Sequence, residues 1–323
     1  AKTPSTKLLT SVTNKQPINM VASCLSLVSL YARYLHRSLS AAGLSSQSLQ
    51  IDDLTTIHFW GPKPTSSTPK PALLLIHGFG PQGVWQWRPQ IVSFSRHFDL
   101  YVPDLVFFGD STTKSSDRSE VFQAASVGKL MERLGVNRYS VVGTSYGGFV
   151  AYHMAAMWPD RVDKVVIASS GVNMRRRDNG ELLKRAGVER IEDLMLPATA
   201  GQLRTLMGLA AFRRAYMPDF LLNDFLDKLY SENRKEKLEL LKGLTLGQED
   251  TVNISPLQQE VLIVWGDKDQ IFLLDKATEL KELLGERARL EVIKNASHVP
   301  QIEHAAHFNR IVKSFLRSSP SSS

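Results

Sequence analysis

A single cysteine, Cys24, stands among 323 residues, so no intrachain disulfide can form. The fold must rest on its core, and the composition suits a reducing compartment. No apolar run reaches the roughly 18–20 residues that a membrane-spanning helix requires. No Cys/His cluster has the spacing of metal ligands. No Gly-Lys-Ser/Thr follows a glycine-rich turn, which argues against a phosphate loop. Neither a metal nor a cofactor is called for. Acidic residues are absent from positions 1–51, which carry five basic ones: Lys2, Lys7, Lys15, Arg33 and Arg37. Taking those five from the chain's 39 basic residues leaves 34 against 32 acidic. The formal charge of +7 therefore sits mostly in the N-terminal stretch. The body is nearly neutral, and nucleic acid gains no support as a partner.

What is present is an alternation. Short apolar runs fall at 72–76, 98–102, 140–142, 164–168, 261–265 and 290–293, after a strand-like segment at 56–59. They lack the period-two pattern of a half-exposed strand, as strands covered on both faces do. Helix-length segments lie between them at 119–134, 146–157, 276–284 and 303–316. This order predicts an α/β fold with right-handed βαβ units in a mostly parallel, doubly wound sheet. The Pro/Ser/Lys stretch 61–71 reads as a turn between strands. From 170 to 260 the rhythm stops, and Leu-rich, charged sequence reads as several amphipathic helices. An ordinary crossover is far shorter. Residues 172–255 are therefore expected to form a helical cap inserted into a core built from 52–171 and 256–316.

The flanks are different in kind. Residues 1–51 are rich in Ser and Thr, and Leu25, Val28, Leu35 and Leu39 recur at near-helical spacing. Such a stretch suits an organellar targeting segment. It equally suits an amphipathic helix lying on a membrane surface or on the domain itself. The reading taken is upstream sequence ahead of a start at Met20, followed by a docked helix. An intracellular, cytoplasmic location and peripheral membrane contact through this segment are expectations only. The Ser/Pro-rich tail, 317–323, is expected to be disordered.

Gly143-Thr144-Ser145-Tyr146-Gly147 has the pattern G-x-S-x-G and lies between an apolar run and a helix-like stretch. A tight strand–turn–helix junction there lifts the serine hydroxyl above the sheet, and flanking glycines let the two elements approach. A serine hydroxyl is a weak nucleophile and needs a base. His298, in Ser297-His298-Val299, follows the last apolar run, at a carboxyl strand end where open α/β sheets hold ligands. His304 and His307 fall inside the next helical pattern. The acid comes from Gly266-Asp267-Lys268-Asp269. Asp269 lies farther beyond the strand and can swing toward the histidine, whereas Asp267 is the better turn cap. Donors for a developing oxyanion are expected from the N–H groups of Tyr146 and of Phe79 in His77-Gly78-Phe79-Gly80. His77 reads as a structural side chain, and Asp104 and Asp110 as organisers of a loop.

These motifs, in this order, resemble those of the α/β-hydrolase family over about residues 51–316. The likeness is strongest to plant members of its capped branch, which includes monoacylglycerol lipases, esterases, epoxide hydrolases and carbon–carbon bond hydrolases of meta-cleavage products. The resemblance implies a serine esterase or monoacylglycerol-lipase-like enzyme, with Ser145 as nucleophile, His298 as base, Asp269 as acid and an apolar ester as substrate. A serine at position 145 disfavours the epoxide hydrolases, which carry an aspartate there. Carbon–carbon bond hydrolysis by the same residues stays open, as does a hormone-receptor-like role on the same fold. One departure is Asp104-Leu105-Val106-Phe107-Phe108-Gly109, where the family often has Pro-Gly before Phe-Gly; a bulkier, more apolar loop is expected.

Overall fold

The computed structural model describes residues 26–63, 70–213 and 216–319. Expectations for positions 1–25, most of the 61–71 linker and the last four residues lie outside these. The strands, in chain order, are β1 (Leu44–Gln50), β2 (Thr55–Pro62), β3 (Ala72–Ile76), β4 (Asp99–Pro103), β5 (Thr112–Thr113), β6 (Tyr139–Thr144), β7 (Val162–Ala168), β8 (Glu260–Gly266) and β9 (Ala288–Ile293). The helices are α1 (Leu27–Ala41), α2 (Gly83–Phe94), α3 (Glu120–Arg133), α4 (Tyr146–Met157), α5 (Arg176–Ala186), α6 (Ile191–Met195), α7 (Ala200–Ala210), α8 (Asp219–Leu229), α9 (Arg234–Lys242), α10 (Leu274–Leu284), α11 (Pro300–Glu303) and α12 (Ala305–Arg317).

The main sheet path runs β1-β2-β4-β3-β6-β7-β8-β9. From β4 to β9 along this path every pairing is parallel, while β1 and β2 add an antiparallel edge. Alternate side chains of one strand feed opposite layers. Leu73 and Leu75 join the layer beneath α2 and α12, around Trp87 and Phe308. Leu74 and Ile76 join the layer beneath α3, α4 and α10. All four are fully buried. Burial on both faces explains why these runs show no alternation, and each such side chain contributes about 1.5–3 kcal/mol of transfer free energy.

Two elements depart from the expectations. The segment LSSQSLQ of β1 has few strand-favouring residues, yet it pairs with β2 along its whole length. It is an edge strand, where one polar face meets solvent and tertiary pairing overrides propensity. The helix α2 contains Pro89, and its polar residues Gln86, Arg88 and the buried Gln90 mask its pattern. At the C-terminal end α12 runs through Arg317, so that residue ends a helix rather than beginning the tail.

Between β7 and β8 the described residues hold five helices, α5 to α9. They gather small apolar clusters of their own, one around Leu182, Leu194 and Leu209 and another around Leu203, Leu222, Leu226 and Tyr230. This insert lies over the carboxyl ends of the parallel strands. No helix among the described residues is long and apolar enough to cross a membrane.

Candidate active site

The site begins where the central strand β6 meets α4. Ser145 has φ 52° and ψ −122°, a left-handed conformation that costs a non-glycine residue free energy. The turn is held by its neighbours. Ser145 N–H donates to Ala168 O at 2.9 Å, and the Ser145 carbonyl accepts from Gly148 N–H at 2.9 Å and Ser170 Oγ at 2.6 Å. The close approach needs glycine on both sides. A Cβ on Gly143 would meet Gly147 O at 2.1 Å, and one on Gly147 would meet Ile76 O at 2.3 Å. The serine side chain is thereby set at the N-terminus of α4, where free N–H groups and the helix dipole favour negative charge.

His298 occupies the loop between β9 and α11. Its Nδ1–H donates to Asp269, with Oδ2 at 3.0 Å and Oδ1 at 3.2 Å. Asp269 is 3% exposed, and its Oδ1 also accepts from the N–H groups of Ile271 and Phe272 at 2.9 and 3.1 Å. A carboxylate fixed by three donors holds the imidazole in one tautomer, with Nε2 as its basic nitrogen. Asp267 does a different job. It accepts from Asn295 N–H at 2.7 Å and joins the two strand-end loops. Of the two aspartates, Asp269 is the one that meets the histidine.

The loop after β3 lies beside the elbow. Gly78 approaches so closely that a Cβ on it would stand 2.9 Å from Ser145 Cβ. Gly78 N–H donates to Gln86 Oε1 at 2.9 Å, and Gln86 Nε2 donates back to Gly78 O at 3.0 Å. The next N–H is that of Phe79, whose ring packs edge-on to Tyr146 at 5.7 Å. A dinucleotide-type glycine fingerprint is not expected from the sequence, yet glycines 78, 80 and 83 have its G-x-G-x-x-G spacing. Here the loop is committed to Gln86 and to the elbow. His77 is structural as expected: Nδ1–H donates to Gly78 O at 2.8 Å and Nε2 accepts from Leu105 N–H at 3.0 Å. Burial pushes its pKa down. Phe108, from the departing Phe107-Phe108 loop, packs against both His77 and Phe79.

Ser145, His298, Phe79 and Gln301 line one cavity of about 220 Å³. The insert supplies much of its wall through Met195, Leu203, Met207, Phe225 and Tyr230. Two residues without a motif of their own hold the parts together. Gln86 fixes the Gly78 loop. Glu303 accepts from Ser297 N–H at 2.7 Å and from Phe212 N–H at 2.8 Å, joining the histidine loop to the insert. Gln86 and Glu303 reach back only eight and six residues to these loops, but at spacings that mark no periodic element.

A second serine–histidine–aspartate chain lies at the edge of the sheet. Asp104 Oδ2 is 2.8 Å from His58 Nδ1, and His58 Nε2 is 2.8 Å from Ser46 Oγ. Asp104 also accepts from Gly83 N–H at 3.0 Å, and Ser111 Oγ donates to its carbonyl. Asp104 thus organises its loop, in line with expectation.

Residues 71–305 match the family model described as alpha/beta hydrolase fold. A curated relative, the 2-hydroxy-6-oxononadienedioate/2-hydroxy-6-oxononatrienedioate hydrolase of Escherichia coli, is 26% identical over 259 residues, covering 76% of this chain and 86% of the relative. Among solved structures, a membrane phospholipase A described as a bacterial virulence factor superposes with TM-score 0.72 at 22% identity, over 92% of this chain and 96% of that one. A meta-cleavage product hydrolase from Pseudomonas fluorescens gives TM-score 0.64 at 22% identity, over 85% and 98%. These two structures speak to the fold.

Proposed function

The chain belongs to the α/β-hydrolase fold family, and from that premise we propose that it cleaves carboxylic esters through an acyl-enzyme on Ser145. The observation that carries this reading is the strained Ser145 turn, opening onto the same cavity as an imidazole whose far nitrogen is bound to buried Asp269. In the proposed reaction His298 Nε2 takes the hydroxyl proton as Ser145 Oγ attacks the ester carbonyl. The N–H groups of Phe79 and Tyr146 receive the oxyanion. His298 returns the proton to the departing alcohol, and water activated by the same nitrogen releases the acid. Asp269 holds the tautomer and stabilises the imidazolium. The insert acts as a cap that selects the substrate.

The lining favours an ester over a diketone acid. The curated relative's named substrate is a dioate, which carries two carboxylates. No Lys or Arg is among the described residues that line the cavity here. A buried carboxylate without a partner is strongly disfavoured. Neutral, apolar acyl or alcohol groups, up to a monoacylglycerol, fit Leu203, Leu206, Met207 and Phe225. The cavity is small, but Met207 also lines an adjoining groove of about 490 Å³, whose wall combines Met217 and Leu222 with Arg204 and Arg213.

The test is covalent labelling with a fluorophosphonate followed by peptide mapping, with ester turnover measured against turnover of a vinylogous diketone acid. An adduct on Ser145 and preferential ester turnover are expected. An unlabelled Ser145 in folded protein would overturn the reading in favour of a ligand-binding role. Faster turnover of the diketone acid would replace ester by carbon–carbon chemistry.

A further inference from the structure

The helix α1 lies outside the residues that match the family, yet it reaches the cavity wall. Its inner face, Val28, Leu35 and Leu39, is buried, and it packs against α2 of the core and α8 of the insert. Two sets of contacts define this position. At its N-terminus, Ser26 Oγ donates to Asp224 Oδ2 at 2.9 Å and Val28 N–H donates to the same oxygen at 3.1 Å. Asp224 belongs to α8, so one carboxylate oxygen joins the insert to the start of α1, where the dipole favours an anion. Farther along, aromatic rings form a series: Tyr31 to Trp85 at 5.1 Å, Trp85 to Phe225 at 5.9 Å, and Phe225 to Tyr230 at 6.2 Å. Trp85, Phe225 and Tyr230 line the Ser145 cavity. Arg88 of α2 clamps the outer end, donating to the hydroxyls of Tyr31 and Tyr34 at 3.0 and 3.1 Å.

We infer that α1 is the outer support of the Ser145 cavity and that Asp224 is the positioning residue through which it fixes α8, setting how long an apolar chain the cavity accepts. The inference rests on Ser145 being the reactive serine. Phe225 follows Asp224 directly in α8, so release of the carboxylate from Ser26 and Val28 frees the ring that closes the cavity. Trp85, held between a ring of α1 and a ring of α8, then loses its fixed face. The reacting end of the cavity is tied separately, by Gln86, Glu303 and Asp269. Chain selection should therefore change while the chemistry on a small probe does not.

The experiment compares the rates at which two fluorophosphonates, one with a short and one with a long alkyl chain, label Ser145 in the full chain. In Asp224→Ala the long-to-short rate ratio is expected to fall about tenfold, the scale of a displaced binding wall, with the short-chain rate near that of wild type. Asp224→Asn keeps an acceptor oxygen and should restore the wild-type ratio. Tyr31→Ala, at the exposed end of the ring series, should lower the ratio in the same direction and guards against misfolding of the first variant. Ratios within twofold of wild type in both Asp224→Ala and Tyr31→Ala would overturn the inference alone. Failure of both probes to label wild-type Ser145 would overturn the esterase reading and the inference with it.

Discussion

Two groupings of serine, histidine and aspartate stand among the described residues, and what they share is an imidazole Nδ1 bound to a buried aspartate. In the edge chain Asp104, His58 and Ser46 are joined by contacts of 2.8 and 2.8 Å, tighter than the 3.0 Å between Asp269 and His298. If such bonds made a hydrolase, the edge chain would be the better one. Ser46, however, is an exposed residue of the edge strand β1, with ordinary extended backbone. Ser145 is 8% exposed, strained at φ 52°, and stands at the N-terminus of a twelve-residue helix inside an apolar cavity. Backbone strain, a helix N-terminus and an apolar cavity are therefore what distinguish them, and on the proposed reading these are what would supply oxyanion donors and keep water away. A base alone supplies a minor part of the acceleration.

The sharpest way to break this contrast is to remove each serine in turn. Ser145→Ala is expected to lower kcat for a chromogenic ester by about 10⁴–10⁶. Ser46→Ala should leave kcat/KM within about twofold. Activity surviving in the first variant and lost in the second would reverse the assignment. The acids give the next largest contrast. Asp269→Asn should lower kcat by about 10³–10⁴ through loss of the correct tautomer, and Asp267→Asn by less than about tenfold. Similar losses in both would mean that the strand-end loop, rather than the carboxylate, is what the imidazole needs.

Backbone strain separates the two regions as well. In Gly147→Ala the added methyl would meet Ile76 O at 2.3 Å and His77 O at 2.5 Å, backbone atoms at the end of the central strand β3 and just beyond it. A destabilisation of about 3 kcal/mol or more is expected by thermal or denaturant unfolding. An unchanged melting temperature would show that the elbow can relax.

Much of the candidate site was legible because its demands are local. The elbow needs small residues at 143 and 147, and a histidine beyond the last strand follows from chain order. The parallel core was legible because strands buried on both faces leave continuous apolar runs. The edge chain was not legible, since Ser46 and His58 meet only through the β1–β2 register, and β1 has a sequence poor in strand formers. Gln86, Glu303 and Asp224 escaped because none belongs to a periodic pattern: the first two reach back eight and six residues, and Asp224 meets Ser26 across 198 positions.

The smallest effect concerns protons. Burial alone would lower the pKa of His58, but the hydrogen bond and charge of Asp104 outweigh it, and the net direction is upward from 6.5. A group whose pKa is raised on folding stabilises the protein most when protonated. The contribution is complete below about pH 6.5 and is lost as pH rises through the higher folded value. His58→Gln keeps a donor for Asp104 and a polar group for Ser46 but cannot titrate. The stability of wild type relative to this variant should accordingly be greatest in mildly acidic solution and shrink toward alkaline pH. Ester turnover at fixed pH should change by less than about threefold, because His58 touches neither the cavity nor the oxyanion loop. A stability difference that grows with pH would contradict the direction of the shift. A large loss of turnover would mean that the edge chain, despite its place outside the cavity, takes part in the reaction.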